Sequence, residues 1–144
     1  MAIGQPFLAD KSAWVQQAYS EAARERVAYL RATRQLRLCT VTVAELLYSS
    51  RSAEEMASDE EDLALLDVLH IDAEVEDRVT WILRKLASRG QHRAPSIADL
   101  FVSAVALTHD ATVLHYDKDF ELIAEVTDLR HEWIVPRGSG HGRG

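Results

Sequence analysis

The chain has 144 residues, 47% of them hydrophobic, and a formal net charge of −7 from 16 basic and 23 acidic side chains. That length and apolar content fit one domain with a real core, while the longest apolar stretches, such as "LFVSAVAL", fall far short of the roughly 18 residues of a spanning helix. The acidic balance excludes a protein that holds nucleic acid by bulk positive potential alone, though not one that works through metal ions. A lone cysteine, Cys39, excludes an intrachain disulfide and reads as a packed thiol among apolar neighbours. "MAIGQPFLAD" has no basic segment followed by an apolar one, so a soluble, cytoplasmic protein without a membrane partner is expected.

Taken in chain order, short apolar runs alternate with longer helical patterns, which predicts α/β layering. "QPFLAD" predicts a first strand ending at Asp10, with Ser12 capping a helix from Ala13. From Glu21 to Arg34, Ala22, Val27, Tyr29 and Leu30 form an apolar stripe among arginines, the pattern of an amphipathic helix. "LRLCTV" predicts a second strand. Thr42 stands three residues before Glu45, the spacing of a capping box, so a helix should start there and run through "AELLYSS". The acidic segment "AEEMASDEEDLALLDVL" predicts one or two helices, and "LHI" a brief strand.

"DAEVEDRVTWILRKLASRG" carries acids in its first turns, bases in its last and Gly90 as a stop, so its ends agree with the helix macrodipole. After the loop "QHRAP", Ser96 can cap a helix "IADLFVSAVALTH" that is apolar nearly all round and should be buried. "ATVLHY" predicts a strand, "DKDFELIAEV" a short helix and "HEWIVP" a last strand. Residues 1–136 therefore form the folded unit, and the tail 137–144, "RGSGHGRG", has no apolar content and is expected to be disordered.

Asp10, Glu45, Asp99 and Asp117 share one property: each falls at a strand end or in the first turn of a helix. In a mostly parallel sheet the carboxyl ends of the strands line one edge, where ligands bind. Acids gathered there repel one another unless cations compensate, and oxygen-only ligation suits Mg²⁺ or Mn²⁺ rather than zinc. Each acid also has a structural explanation. Glu45 and Asp99 can close capping boxes, and Asp117 can cap the helix near Lys118, with Asp119 favouring its dipole. Asp10 directly follows an apolar strand, where a neutral turn residue would serve. The set of four is more telling than any member.

"FLADKSAW", "TVAELLYS", "PSIADLFVSAVAL" and "LHYDKDFELIA" follow the order and spacing of the acidic motifs of PIN-domain ribonucleases, and the chain resembles the VapC-type toxins of bacterial type II toxin–antitoxin pairs over nearly all but its Gly-rich tail. The resemblance implies a PIN-like three-layer α/β/α sandwich on a central, mainly parallel sheet. It also implies Mg²⁺- or Mn²⁺-dependent endoribonuclease activity, an RNA substrate, a homodimer and inhibition by a cognate antitoxin. Carried over by position, Asp10, Glu45, Asp99 and Asp117 are the catalytic acids, with Asp10, Asp99 and Asp117 holding metal. Asp119 is the more peripheral acid before Phe120. His115 stands where many relatives have a small hydroxyl residue; orienting the carboxylate, contacting RNA and sitting as a satisfied strand-end histidine are its alternatives. Ser12 can bind a metal water or a phosphate, or only cap a helix. Two rival functions are a metal-dependent phosphohydrolase and a non-catalytic module that keeps the fold to bind a partner protein.

Overall fold

The computed structural model describes residues 4–142. Five short strands, β1 (Phe7–Ala9), β2 (Leu36–Cys39), β3 (Asp67–Leu69), β4 (Thr112–His115) and β5 (His131–Trp133), pair in parallel throughout, in the order β3-β2-β1-β4-β5. The helices are α1 (Lys11–Trp14), α2 (Glu21–Ala32), α3 (Thr40–Tyr48), α4 (Ala53–Leu63), α5 (Ala73–Ala87), α6 (Ile97–Thr108) and α7 (Asp119–Ala124), with a 3₁₀ turn at Val15–Ala18. They cover both faces of the sheet, the expected three-layer α/β/α arrangement.

The central strands explain why the sequence shows apolar runs there instead of alternation. Leu8, Ala9, Val113 and Leu114 are all fully buried. Leu8 and Val113 enter one core with Val75 and Ile82 of α5, Leu100 and Val105 of α6, and Phe120 of α7. Ala9 and Leu114 enter the other with Ala13 of α1, Val27 and Leu30 of α2, and Leu63 of α4. A parallel sheet covered on both faces has no polar side to show. Each fully buried leucine contributes on the order of 2 kcal/mol relative to an exposed one, so the two cores, not helix propensity, hold the layers. α6 is the most deeply set helix, with the run from Leu100 to Ala106 buried except for half-buried Phe101.

β1 lies between β2 and β4, so the chain winds outward in one direction as far as β3 and in the other from β4. The reversal at β1 is a topological switch point, and the crevice outside the carboxyl ends of β1 and β4 is where such sheets bind ligands. Asp10 follows β1 and Asp117 lies two residues after β4.

Several local readings are corrected. The cap of α1 is Asp10, whose side chain accepts the Ser12 N–H; Ser12 is inside the helix. Thr42 does not open a capping box, because α3 already begins at Thr40 behind Cys39, with no side-chain cap; the buried Thr42 hydroxyl instead donates to the Ala9 carbonyl at 3.2 Å. The third strand is Asp67–Leu69, earlier than "LHI". The tail also departs from its composition. The Gly138 and Gly140 N–H groups donate to the Tyr116 hydroxyl at 3.0 and 2.8 Å, the His141 N–H donates to Gln16 Oε1 at 2.9 Å, and Gln16 Nε2 returns a bond to the His141 carbonyl. Gln16 is 1% exposed, so its buried amide needs such partners. A Cβ on Gly140 would lie 2.8 Å from the Tyr116 ring, so glycine permits the close approach. Arg143 and Gly144 lie outside the described residues.

Candidate metal centre

β1 delivers Asp10 to the crevice, and its main-chain N–H continues the pairing with β4 by donating to the Leu114 carbonyl at 2.9 Å. Its Oδ2 accepts the Ser12 N–H at 3.0 Å and the Ser12 hydroxyl at 2.6 Å. The same hydroxyl accepts the Tyr116 N–H at 2.8 Å. Ser12 thus ties the end of β1 to the turn after β4, and its proton is committed to Asp10.

Asp99 arrives from α6. Ser96 Oγ caps that helix by accepting the Asp99 N–H at 3.1 Å. In a closed capping box the carboxylate would bond back to the cap residue's N–H. No such bond is made among the described residues: Asp99 is 4% exposed and its Oδ2 has no hydrogen-bond partner. Asp117 Oδ1 accepts the Asp119 N–H at 2.9 Å, the local turn that starts α7. One carboxylate oxygen from each of Asp99, Asp117 and Asp119 lies within 4.8 Å of the others.

The electrostatics follow from the placement. Desolvation, then the charges of Asp10 and Asp117, then hydrogen bonding with Asp117 and Asp119, hold Asp99 far above the usual carboxylate range. Desolvation also raises Asp10; the Ser12 bonds offset part of this, and the Asp117 charge adds to it. Glu45, part-buried on α3, is raised by desolvation and then by Asp10, while Lys11 lowers it. His115 is pulled the other way, to about 3, by burial and then by the neighbouring His131 ring. Acids gathered in one crevice, with Asp10 and Asp99 held back from ionising and one buried Asp99 oxygen unpartnered, fit a hard divalent cation. Such an ion takes oxygen ligands and removes the repulsion.

The crevice thus gathers Asp10, Asp99, Asp117 and Asp119, with Glu45 coupled to Asp10 at its edge. Asp119, expected to be peripheral, stands in the tightest trio, whereas Asp10 lies outside that trio and acts on it through charge. Helix capping no longer accounts for Glu45, which sits mid-helix. Sequence reasoning missed His131, which bonds to His115 at 2.9 Å. Only the strand register, which sets Val113 opposite His131, brings the two rings together.

An all-parallel sheet with acids converging at its switch point defines a class of α/β proteins with an acidic crevice at the strand ends, and comparison with known proteins makes the placement specific. The PIN domain family model matches residues 7–126, and the chain belongs to that family. It is 36% identical over 135 residues to Ribonuclease VapC18 of Mycobacterium tuberculosis, covering 92% of this chain and 98% of that protein. Over 136 residues it is 35% identical to Ribonuclease VapC21 of the same organism, covering 92% and 96%. Among solved structures, it is similar to the DNA-bound VapBC complex from Salmonella typhimurium, with a TM-score of 0.75 at 20% identity, covering 92% of this chain and all of the matched one. The last likeness bears on the fold.

Proposed function

We propose that the chain is the toxin of a type II toxin–antitoxin pair, an endoribonuclease that hydrolyses RNA phosphodiester bonds with Mg²⁺ or Mn²⁺ held by its acidic cluster. The observation that carries this reading is the buried Asp99 carboxylate, with its Oδ2 unpartnered and one oxygen within 4.8 Å of Asp117 and Asp119, in a chain whose relatives are named ribonucleases. Asp10, Asp99 and Asp117 would hold the cation, with Asp119 close enough to join them. When bound, a divalent cation supplies Lewis-acid chemistry: activation of water and neutralisation of charge at the phosphate. Asp10 is held in place by Ser12, and Asp117 by its turn with Asp119. Glu45, part-buried on α3 with a raised proton affinity, would take or return a proton. No protein nucleophile is required.

Further partners follow from the same reading. The VapBC assemblies among the structural neighbours support a cognate antitoxin. Exposed Tyr48, Met56 and Leu65, on or just after α3 and α4, support a homodimer through that face. No helix among the described residues is long and apolar enough to cross a membrane, and the working compartment we assign is the cytoplasm.

The test is cleavage of a defined RNA by purified protein with Mg²⁺ or Mn²⁺, with chelator, and with the antitoxin added. Metal-dependent, antitoxin-sensitive cleavage is expected. Preference for small phosphate esters, or cleavage that survives chelation, would overturn the reading.

A further inference from the structure

We propose that His115 is a positioning residue for Asp117: its Nδ1 lone pair fixes the main chain of the turn that presents this carboxylate, and His131 fixes His115 in turn. The inference rests on the assignment of Asp117 to the metal centre and adds what holds that acid in place. His115 is fully buried at the end of β4, its ring centroid 4.9 Å from that of Phe120, 4.8 Å from Trp133 and 5.1 Å from His131. An apolar side chain would fill that space without the cost of burying two ring nitrogens, a cost met only when both are hydrogen-bonded. Both are. The Asp117 N–H lies 3.0 Å from Nδ1, and Nε2 lies 2.9 Å from His131 Nδ1.

Those two bonds determine the protons. A main-chain N–H can only donate, so Nδ1 of His115 is the acceptor and carries no hydrogen. The neutral ring then has its proton on Nε2 and donates it to His131 Nδ1, which leaves the His131 proton on its own Nε2. The result is one chain of hydrogen bonds that donates from the Asp117 N–H through His115 to His131 on edge strand β5. His131 orients His115, His115 holds the Asp117 N–H, and the Asp119 N–H holds Asp117 Oδ1 at 2.9 Å. Asp117 is therefore held at both its main chain and its carboxylate. Fixing a ligand through its hydrogen-bond partners is the way outer residues set metal affinity.

Three variants separate this role from simple packing. The side-chain oxygen of His115→Asn can accept near the Nδ1 position, the amide of His115→Gln reaches instead toward the Nε2 position, and His115→Leu can do neither. Metal-free protein is examined first, by hydrogen exchange of the Asp117 amide and by imidazole ¹⁵N shifts of His115. The wild type should show a protected Asp117 amide and an unprotonated Nδ1; His115→Asn should keep the protection and His115→Gln should lose it. By calorimetry, Mn²⁺ affinity should fall about tenfold or more in His115→Gln and by less than about threefold in His115→Asn.

A protonated Nδ1 in the folded wild type would overturn the proposal. So would a folded His115→Gln or His115→Leu that keeps Asp117 protection and wild-type Mn²⁺ affinity. If His115→Leu does not fold, the Asn and Gln pair decides. If the wild type binds no Mn²⁺, the metal assignment fails, while the metal-free exchange and ¹⁵N data still decide the role of His115.

Discussion

Two helices of this protein open on the same local signal and put it to opposite uses. Ser52 precedes Glu55 at the start of α4, and Ser96 precedes Asp99 at the start of α6. In both, the serine Oγ accepts the N–H three residues on, at 3.1 Å. The acids then part. Glu55 lies at the surface and turns back: its Oε2 accepts the Arg51 N–H and its carboxylate pairs with the Arg51 guanidinium at 3.4 Å, bonds that lower its pKa. Asp99 points into the crevice, keeps an unpartnered oxygen, and has its pKa raised. The cap signal fixes the main chain at both sites; what the carboxylate does is decided by residues brought opposite it from elsewhere in the fold. One acid supports its helix, and the other costs the fold stability in return for a site.

The largest expected effect tests that contrast directly. Asp99→Asn should lose about a hundredfold or more of metal-dependent RNA cleavage and bind Mn²⁺ more weakly, while its metal-free form melts higher because Asn has no carboxyl that ionises more readily once unfolded. Glu55→Gln should leave cleavage within about twofold of wild type and melt slightly lower, because it removes a satisfied acid. Melting curves with and without Mn²⁺, beside cleavage of one RNA, check both. If Asp99→Asn keeps most of its activity, the contrast collapses to two capping acids.

A pH series sharpens it next. The raised folded-state pKa of Asp99 means that its contribution to stability is present below the ordinary carboxylate range and is lost as pH climbs toward the folded value. His115 has the opposite sign: its pKa is depressed, so its contribution is present above the ordinary histidine value of 6.5 and is lost as pH falls toward about 3. Above about pH 6.5 the buried acids therefore act without opposition from His115. The metal-free melting temperature should decline from there toward pH 9, and saturating Mn²⁺ should flatten the decline. Asp99→Asn should show a shallower slope and Glu55→Gln an unchanged one. Glu55, with its lowered pKa, loses its contribution only in the acid range below its ordinary 4.5.

The same contrast marks how far the sequence could be read. Elements with strong local signals were legible: the acids and bases at opposite ends of α5, the Ser96 cap and the doubly buried run at β4 each state their structure within a few residues. So did the gathering of acids, because strand ends of a parallel sheet converge wherever the strands stand in sequence. The partners of those acids were not legible. Ser12 looked like a cap because serine before an apolar run usually is one, yet the helix already begins at Lys11 behind Asp10, and the Ser12 hydroxyl donates to that carboxylate. Thr42 looked like a cap until burial beside Ala9 gave its hydroxyl a carbonyl. Asp119 entered the closest trio because the turn that bonds it to Asp117 places both beside α6, and His131 met His115 only through strand register. These are long-range facts without a local pattern.

The smallest expected effect is the most discriminating, because it removes the feature the two helices share. Ser52→Ala and Ser96→Ala each delete a cap worth about 1 kcal/mol, roughly 3–4 °C in melting temperature for a domain of this size. If helix stability were the whole matter, the two variants would behave alike in every assay. They should not. Ser96 Oγ holds the main-chain N–H of Asp99 itself, so losing it loosens the turn from which that carboxylate enters the crevice. Ser52 Oγ holds the N–H of Glu55, whose carboxylate faces Arg51 and solvent. Ser96→Ala should therefore weaken Mn²⁺ binding by about two- to fivefold, while Ser52→Ala leaves it unchanged at the same thermal cost. Calorimetric titration of both proteins at a temperature where each is fully folded separates the outcomes. Equal Mn²⁺ affinities at equal melting temperatures would mean that the cap of α6 is only a cap, and that Asp99 is held in place by its surroundings across the crevice.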